Sequence, residues 1–219
     1  MDTEEVQHYS LNDIQFNTTV FVLTYAARQT GEIGVCGNRP EAAVTYNCVM
    51  SAVLFKPREA LLAMAVWDGN VYLYADAMSA PTKNRLRVAP VSNQEISGLS
   101  WGRDALSSML FASTMTRYEQ DFLGYHRAYD ATTRQIVCEY KIDEAGEQLA
   151  VEESGTRLII STRRSKRAHS LWLFDARTRD TRPIVKVDMV KFDGYVPRIA
   201  FSNDGIYLAV ARSDNTTHV

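Results

Sequence analysis

Cysteine is scarce in this chain. There are three, Cys36, Cys48 and Cys138, isolated from one another and set in or beside apolar, strand-like segments. An odd number without metal spacing excludes a disulfide frame and a zinc site. The thiols read as reduced and mostly buried, in an intracellular protein of the nucleus or cytoplasm. No apolar run reaches the 18 residues a membrane-spanning helix needs, and the opening MDTEEVQHYS is acidic and polar, unlike a secretory signal. Charge of one sign is also lacking: 24 basic against 26 acidic residues leave a formal net charge of -2, so nothing pulls the whole chain toward nucleic acid or a membrane. The four histidines, His8, His126, His169 and His218, have no metal-ligand spacing, and neither a G-x-x-x-x-G-K nor a G-x-G-x-x-G phosphate loop occurs. No cofactor or metal is expected. Helix-period stretches are few; the segment 103–113 is the main one, and the repeat described next assigns it to a turn and a strand.

What is present is a repeat. Four segments carry an apolar or aromatic run that ends in an aromatic residue and a polar turn: VFVLTYAARQTGE (20–32), VYLYADAMSA (71–80), YHRAYDATTRQ (125–135) and LWLFDARTRD (171–180). Their anchors, Tyr25, Tyr74, Tyr129 and Phe174, are 49, 55 and 45 residues apart. A second marker keeps the same period: SAVLFKPRE (51–59), ISGLSWGRDA (96–105), EQLAVEESGT (147–156) and VPRIAFSNDG (196–205), each alternating apolar and polar before a turn. An apolar run follows every one of these turns. Fourth strands are expected at IGVC (33–36), 85–91, IVCEYKI (136–142) and PIVKVDM (183–189). Four short antiparallel strands in about 40–50 residues form the unit of a β-propeller blade.

These strings resemble those of WD-repeat propellers, in which one strand ends in Trp-Asp and an earlier turn reads like FSPDG. The matching strings here are FSNDG (201–205), FKPRE (55–59), Tyr129-Asp130 and Phe174-Asp175. Tyr or Phe replaces Trp throughout, Ala26 and Ala75 replace Asp in two units, and no Gly-His dipeptide occurs. The family's buried His–Ser/Thr–Asp–Trp network is therefore expected to be mostly absent, with Asp68 alone standing where its Asp would. The resemblance implies an all-β fold, a β-propeller of four-stranded antiparallel blades forming an incomplete ring. A polar segment or blade remnant at 1–15 precedes units at roughly 16–40, 43–92, 94–143, 146–190 and 195–219. Missing sequence or another chain is expected to complete the ring.

The same resemblance implies a non-enzymatic scaffold for protein–protein interaction within a larger complex. Its binding face is made by the loops before each first strand and between second and third strands. Two of those loops stand out, 114–124 with Tyr118 and Phe122, and RRSKRAH (163–169) with Arg163, Arg164, Lys166 and Arg167. The aromatics either anchor a partner or pack the loop onto its blade. The cations suit an acidic or phosphorylated segment, or nucleic-acid phosphate; they also fit a solvated loop or a nuclear-targeting signal. Nucleic acid as the main partner is not expected, since the rest of the chain is not basic. Arg177, Arg179 and Arg182 fall in a turn expected on the other side. The competing enzyme reading rests on Gly98-Leu99-Ser100-Trp101-Gly102, which matches the G-x-S-x-G elbow of serine hydrolases. Asp188 or Asp204 would be the acid and His218 the base. Against it, Ser100 shares the first-strand register of three other units. The carboxylates Asp143, Glu144, Glu147, Glu152 and Glu153 read as solvated strand ends rather than an acid–base pair.

Overall fold

The computed structural model describes residues 8–10, 22–25, 33–36, 50–56, 61–66, 69–74, 85–87, 94–116 and 122–219. Among them are eighteen strands in five antiparallel sheets, each a meander in chain order. The first sheet holds β1 (His8–Ser10), β2 (Val22–Tyr25) and β3 (Ile33–Cys36). The second holds β4 (Met50–Phe55), β5 (Leu62–Val66), β6 (Asn70–Tyr74) and β7 (Arg85–Arg87). The third holds β8 (Gln94–Trp101), β9 (Met109–Thr116), β10 (His126–Asp130) and β11 (Gln135–Tyr140). The fourth holds β12 (Ala145–Val151), β13 (Arg157–Ser165), β14 (Ala168–Asp175) and β15 (Val185–Asp188). The last holds β16 (Arg198–Phe201), β17 (Leu208–Ala211) and β18 (Thr217–His218).

The sheets stack side by side as blades. First strands lie innermost: β4 packs on β8, and β12 packs on β8 and β16. The fourth strand β15 lies outermost, with every residue exposed. Among the described residues the ring is not closed. The helix-period stretch becomes a three-residue 3-10 turn, Asp104–Leu106, that leads into β9.

Among the described residues, three interfaces between sheets are separate apolar layers. One joins Ala63, Val71 and Leu73 of the second sheet to Ile96, Leu99, Trp101, Leu110 and Tyr129 of the third. The next joins Phe111 and Tyr140 to Leu149, Leu158, Ile160 and Phe174, with the Tyr140 and Phe174 rings 4.6 Å apart. The third joins Ile159 to Phe192, Val196, Ile199 and Val210. The repeated aromatics are therefore the plugs between blades: Tyr129 and Phe174 are fully buried, and burying a ring of that size contributes roughly 3 kcal/mol. The residue after each, Asp130 or Asp175, points the other way and closes the following turn. Asp130 Oδ1 accepts the Thr132 and Thr133 amides at 2.8 and 3.0 Å, and Asp175 Oδ1 accepts that of Arg177 at 3.0 Å. The side chains of Tyr25 and Tyr74, together with Trp67 and Asp68, lie outside the described residues.

At the far end of the strands a strut ties the fourth sheet to the fifth. Arg157 donates from Nε to Glu152 Oε2 at 2.8 Å and from Nη2 to Glu152 Oε1 at 2.7 Å, and Nη2 also donates to the Gly205 carbonyl. Gly205 has φ +70°, and a Cβ there would overlap Glu152 Oε1.

Candidate interaction face

Strand starts and ends place residues 122–125 and the 141–144, 166–167, 189–197 and 212–216 connections on one face. Its described part differs from expectation at the basic segment. β13 continues through Ser165 and β14 begins at Ala168, so Lys166-Arg167 is a two-residue turn and not a long loop. A register shift between Arg163 and Ser165 turns Arg163 inward.

Arg163 is only 8% exposed. Its guanidinium lies 4.9 Å from the Phe122 ring centroid, and Nη1 donates to the Gly194 carbonyl at 3.4 Å. Its Nε faces Glu147 Oε1 at 3.9 Å, and among the described residues neither atom has a hydrogen-bond partner. The other oxygen of Glu147 lies 3.0 Å from His169 Nδ1. The buried His169 ring stacks on Phe192 at 4.1 Å, and the Arg212 guanidinium lies over that same Phe192 ring at 3.9 Å. Arg163 thus leaves the expected cationic patch because a buried acid and an aromatic ring claim it. Arg164, Lys166 and Arg167 remain exposed; Arg167 pairs with Asp193 at 3.2 Å in solvent, a contact worth less than about 1 kcal/mol. Phe122 is half-buried and packs; Tyr118 lies outside the described residues.

Beneath the face runs a second polar layer that the sequence reading missed. Thr162 Oγ1 donates to Glu144 Oε2 at 2.5 Å and accepts Trp172 Nε1–H at 2.9 Å. Lys186 Nζ donates to Glu144 Oε1 at 3.3 Å and sits 4.4 Å from the Trp172 ring centroid. The backbone of Glu144 joins the neighbouring sheet: its carbonyl lies 3.0 Å from His126 Nε2, and His126 Nδ1 lies 3.0 Å from Ser113 Oγ. Burial lowers the His126 pKa to about 4, so the ring is neutral near pH 7. A carbonyl can only accept, hence Nε2 carries the hydrogen and Nδ1 accepts from the Ser113 hydroxyl. Gly146 makes this approach possible, since a Cβ there would lie 2.6 Å from Ser113 Cβ.

Of the five carboxylates expected in solvent, Glu144, Glu147 and Glu152 are buried and only Asp143 and Glu153 are exposed. The missed signal was the run of Ser, Thr and His at strand ends on this face (Ser113, Thr114, His126, Thr162, His169, Ser170), where buried hydroxyls and rings need acceptors.

The serine-hydrolase reading gains no support. Ser100 lies within β8, paired with Phe111, and its Oγ donates to the Trp101 carbonyl at 3.3 Å; no sharp elbow or following helix presents it. Asp188 is held by Ser170, Asp204 by Ser202, and His218 lies against Arg212. Ser100 does line a cavity of about 310 Å³ between the first strands, with Trp101, Arg103, Gln148, Glu153, Arg198 and Phe201. Arg177, Arg179 and Arg182 fall in the β14–β15 connection, at the opposite end of the strands from the 166–167 turn, as expected.

No protein-family model matches the chain, and no curated protein sequence matches it. Solved structures do. The Dos1 propeller matches with TM-score 0.63 at 17% identity, covering 92% of this chain and 52% of that one. A chain of the mitotic checkpoint complex matches with TM-score 0.62 at 16% identity, covering 93% and 60%. The C-terminal WD40 domain of Sif2 matches with TM-score 0.65 at 13% identity, covering 90% and 53%. The chain thus spans between half and two thirds of the propellers it resembles. At these identities the likeness is one of fold, and the fold is a β-propeller similar to that of WD40 domains.

Proposed function

We propose that this chain is a non-enzymatic scaffold that joins protein partners within a larger intracellular assembly, using the face described above. The observation that carries the reading is the exposure of large apolar side chains there: Leu123 is 51%, Tyr195 54% and Val190 77% exposed. The segments that carry Leu123 and Tyr195 are fastened from below by Arg163, which lies over the Phe122 ring and donates to the Gly194 carbonyl, so the surface is presented by a fixed scaffold. Apolar groups ringed by charge are the usual anatomy of a docking surface. The mitotic checkpoint complex chain, itself part of an assembly, supports the same reading. The phosphate and nucleic-acid alternative is weakened by the loss of Arg163 to the interior.

Quantitative affinity purification tests the proposal. The Leu123→Ser/Tyr195→Ser variant, with an unchanged melting temperature, is expected to lose proteins that the parent chain retains. An identical set of retained proteins from both would count against this face. In this reading the open ring is completed by further blades, from another chain or from additional sequence. Size-exclusion chromatography with light scattering is expected to find an assembly larger than the roughly 25 kDa of one chain. A well-behaved monomer would refute ring completion by a partner.

A further inference from the structure

We infer that the outward face of the fifth sheet is a docking surface for a β-sheet of a partner chain, which seats a Trp- or Phe-sized ring over Ala209. This rests on the reading in which another chain completes the ring, and it specifies what that chain must bring. One register runs through four sheets. Leu62, Leu110, Leu158 and Leu208 each pair with the last residue of their sheet's first strand. Leu110, Leu158 and Leu208 belong to the first, second and third layers, each toward the preceding sheet. Strand alternation turns the next residue toward the following sheet: Ala63, Phe111, Ile159 and Ala209. The first three lie in layers whose far side differs in size to match. Ala63 lies in the layer that holds Trp101, Phe111 in the one that holds Val151, and Ile159 in the one that holds Phe201. The smallest residue meets the largest ring, as filling a layer to close-packed density requires. Ala209 has the size of Ala63, so the sheet that covers it must supply a ring like Trp101.

Neighbouring positions agree. Two residues further on, every sheet has a small side chain: Ala65, Ser113, Ser161 and Ala211. The residue before each leucine reaches the following sheet. Leu61 packs against the first layer, Met109 against the second, and the Arg157 guanidinium lies 5.6 Å from the Phe201 ring centroid. Tyr207 is the fourth of this set, 58% exposed, with Ile206 before it at 72%. Ala200 pairs with Ala209 and extends the same floor onto β16. Under the third sheet Ala63 and Ala65 are fully buried, whereas Ala209 and Ala211 are only half-buried and Ala200 is exposed. The fifth sheet thus repeats the alanine floor on which the third sheet docks upon the second, with a large apolar side chain at its edge. Covering such a face takes another sheet, as it does in each of the three layers, and not a single added strand.

The experiment places the photo-crosslinking residue p-benzoylphenylalanine at position 207 of the full chain, expressed in the cells the protein comes from, and identifies crosslinked peptides by mass spectrometry. The expected product is a peptide of another protein in which Trp, Phe or Tyr ends an alternating apolar–polar run ahead of a polar turn. Ala209→Trp and Ala211→Trp fill the floor; each is expected to cut the yield roughly tenfold at an unchanged melting temperature, while Ala209→Ser keeps it. Crosslinks to this chain alone would assign the face to a second copy and overturn the inference. Partner peptides without such a ring, no crosslink at all, or an undiminished yield from both Trp variants would overturn it too. If any of these is found while Leu123→Ser/Tyr195→Ser still loses co-purifying proteins, the scaffold reading stands and only this docking surface falls.

Discussion

Replacing Arg157 by Met keeps the apolar stem and deletes the guanidinium that bridges two sheets. Glu152 is buried, and its hydrogen bonds from Arg157 hold its pKa at about 2, against 4.5 for an unperturbed group. At about 1.4 kcal/mol per unit, that difference corresponds to roughly 3 kcal/mol. The Arg157 side chain is 37% exposed, so solvent screening brings the expectation down to about 2 kcal/mol at pH 7. The remaining Thr156 hydroxyl, 2.7 Å from Glu152 Oε2, does not replace two lost guanidinium contacts. A further loss comes from the Gly205 carbonyl, which gives up its Arg157 donor.

The pH dependence identifies the cause. A depressed carboxyl pKa contributes stability that is fully present above the unfolded value near 4.5 and is lost as pH falls toward 2. Urea unfolding of the parent chain is expected to show that decline, and Arg157→Met to flatten it. At pH 7 the variant should melt roughly 4–8 °C lower, as about 2 kcal/mol implies for a chain of this length. A variant within about 0.5 kcal/mol of the parent at pH 7, or one whose acid decline is unchanged, would refute the account of the strut, since either leaves Glu152 without dependence on Arg157.

Other substitutions probe other links. Gly205→Ala forces a φ of +70° on alanine and drives its Cβ into Glu152 Oε1, and should cost more than about 2 kcal/mol in the same urea assay. His126 is neutral in the fold with its pKa lowered to about 4 by burial. The unfolded chain takes up its proton from pH 6.5 downward, so stability should fall by up to roughly 3 kcal/mol between pH 6.5 and 4. His126→Asn should lower stability at pH 7 and remove that slope, read from urea midpoints against pH. Phe174→Ala removes a fully buried plug between blades and should cost about 3–5 kcal/mol, measured by chemical denaturation. A fluorophosphonate probe should leave Ser100 unmodified, as peptide mass spectrometry would show.

The fold was legible because its signals are local. An aromatic at a strand end followed by Asp needs only its own unit to be recognised: the ring turns in, the carboxyl turns out and closes the turn. Tyr129-Asp130 and Phe174-Asp175 do both. The face was not legible because its decisive contacts are distant in sequence. Glu147 meets His169 across 22 residues, Arg163 meets Gly194 across 31, and Lys186 meets Glu144 across 42. Whether an acid at a strand start is solvated depends on what the neighbouring sheet lays over it, and no periodicity within a strand carries that. The register shift beside Arg163 is the sharpest case. RRSKRAH contains nothing that distinguishes an exposed loop from a strand carrying one inward arginine, yet that shift removes a cation from the surface. It follows that a basic run on a propeller hairpin should be counted residue by residue against the acids of the first strand beneath it. Here the count moves recognition away from Arg163 and toward Leu123 and Tyr195, the two exposed residues that Arg163 holds in place from inside.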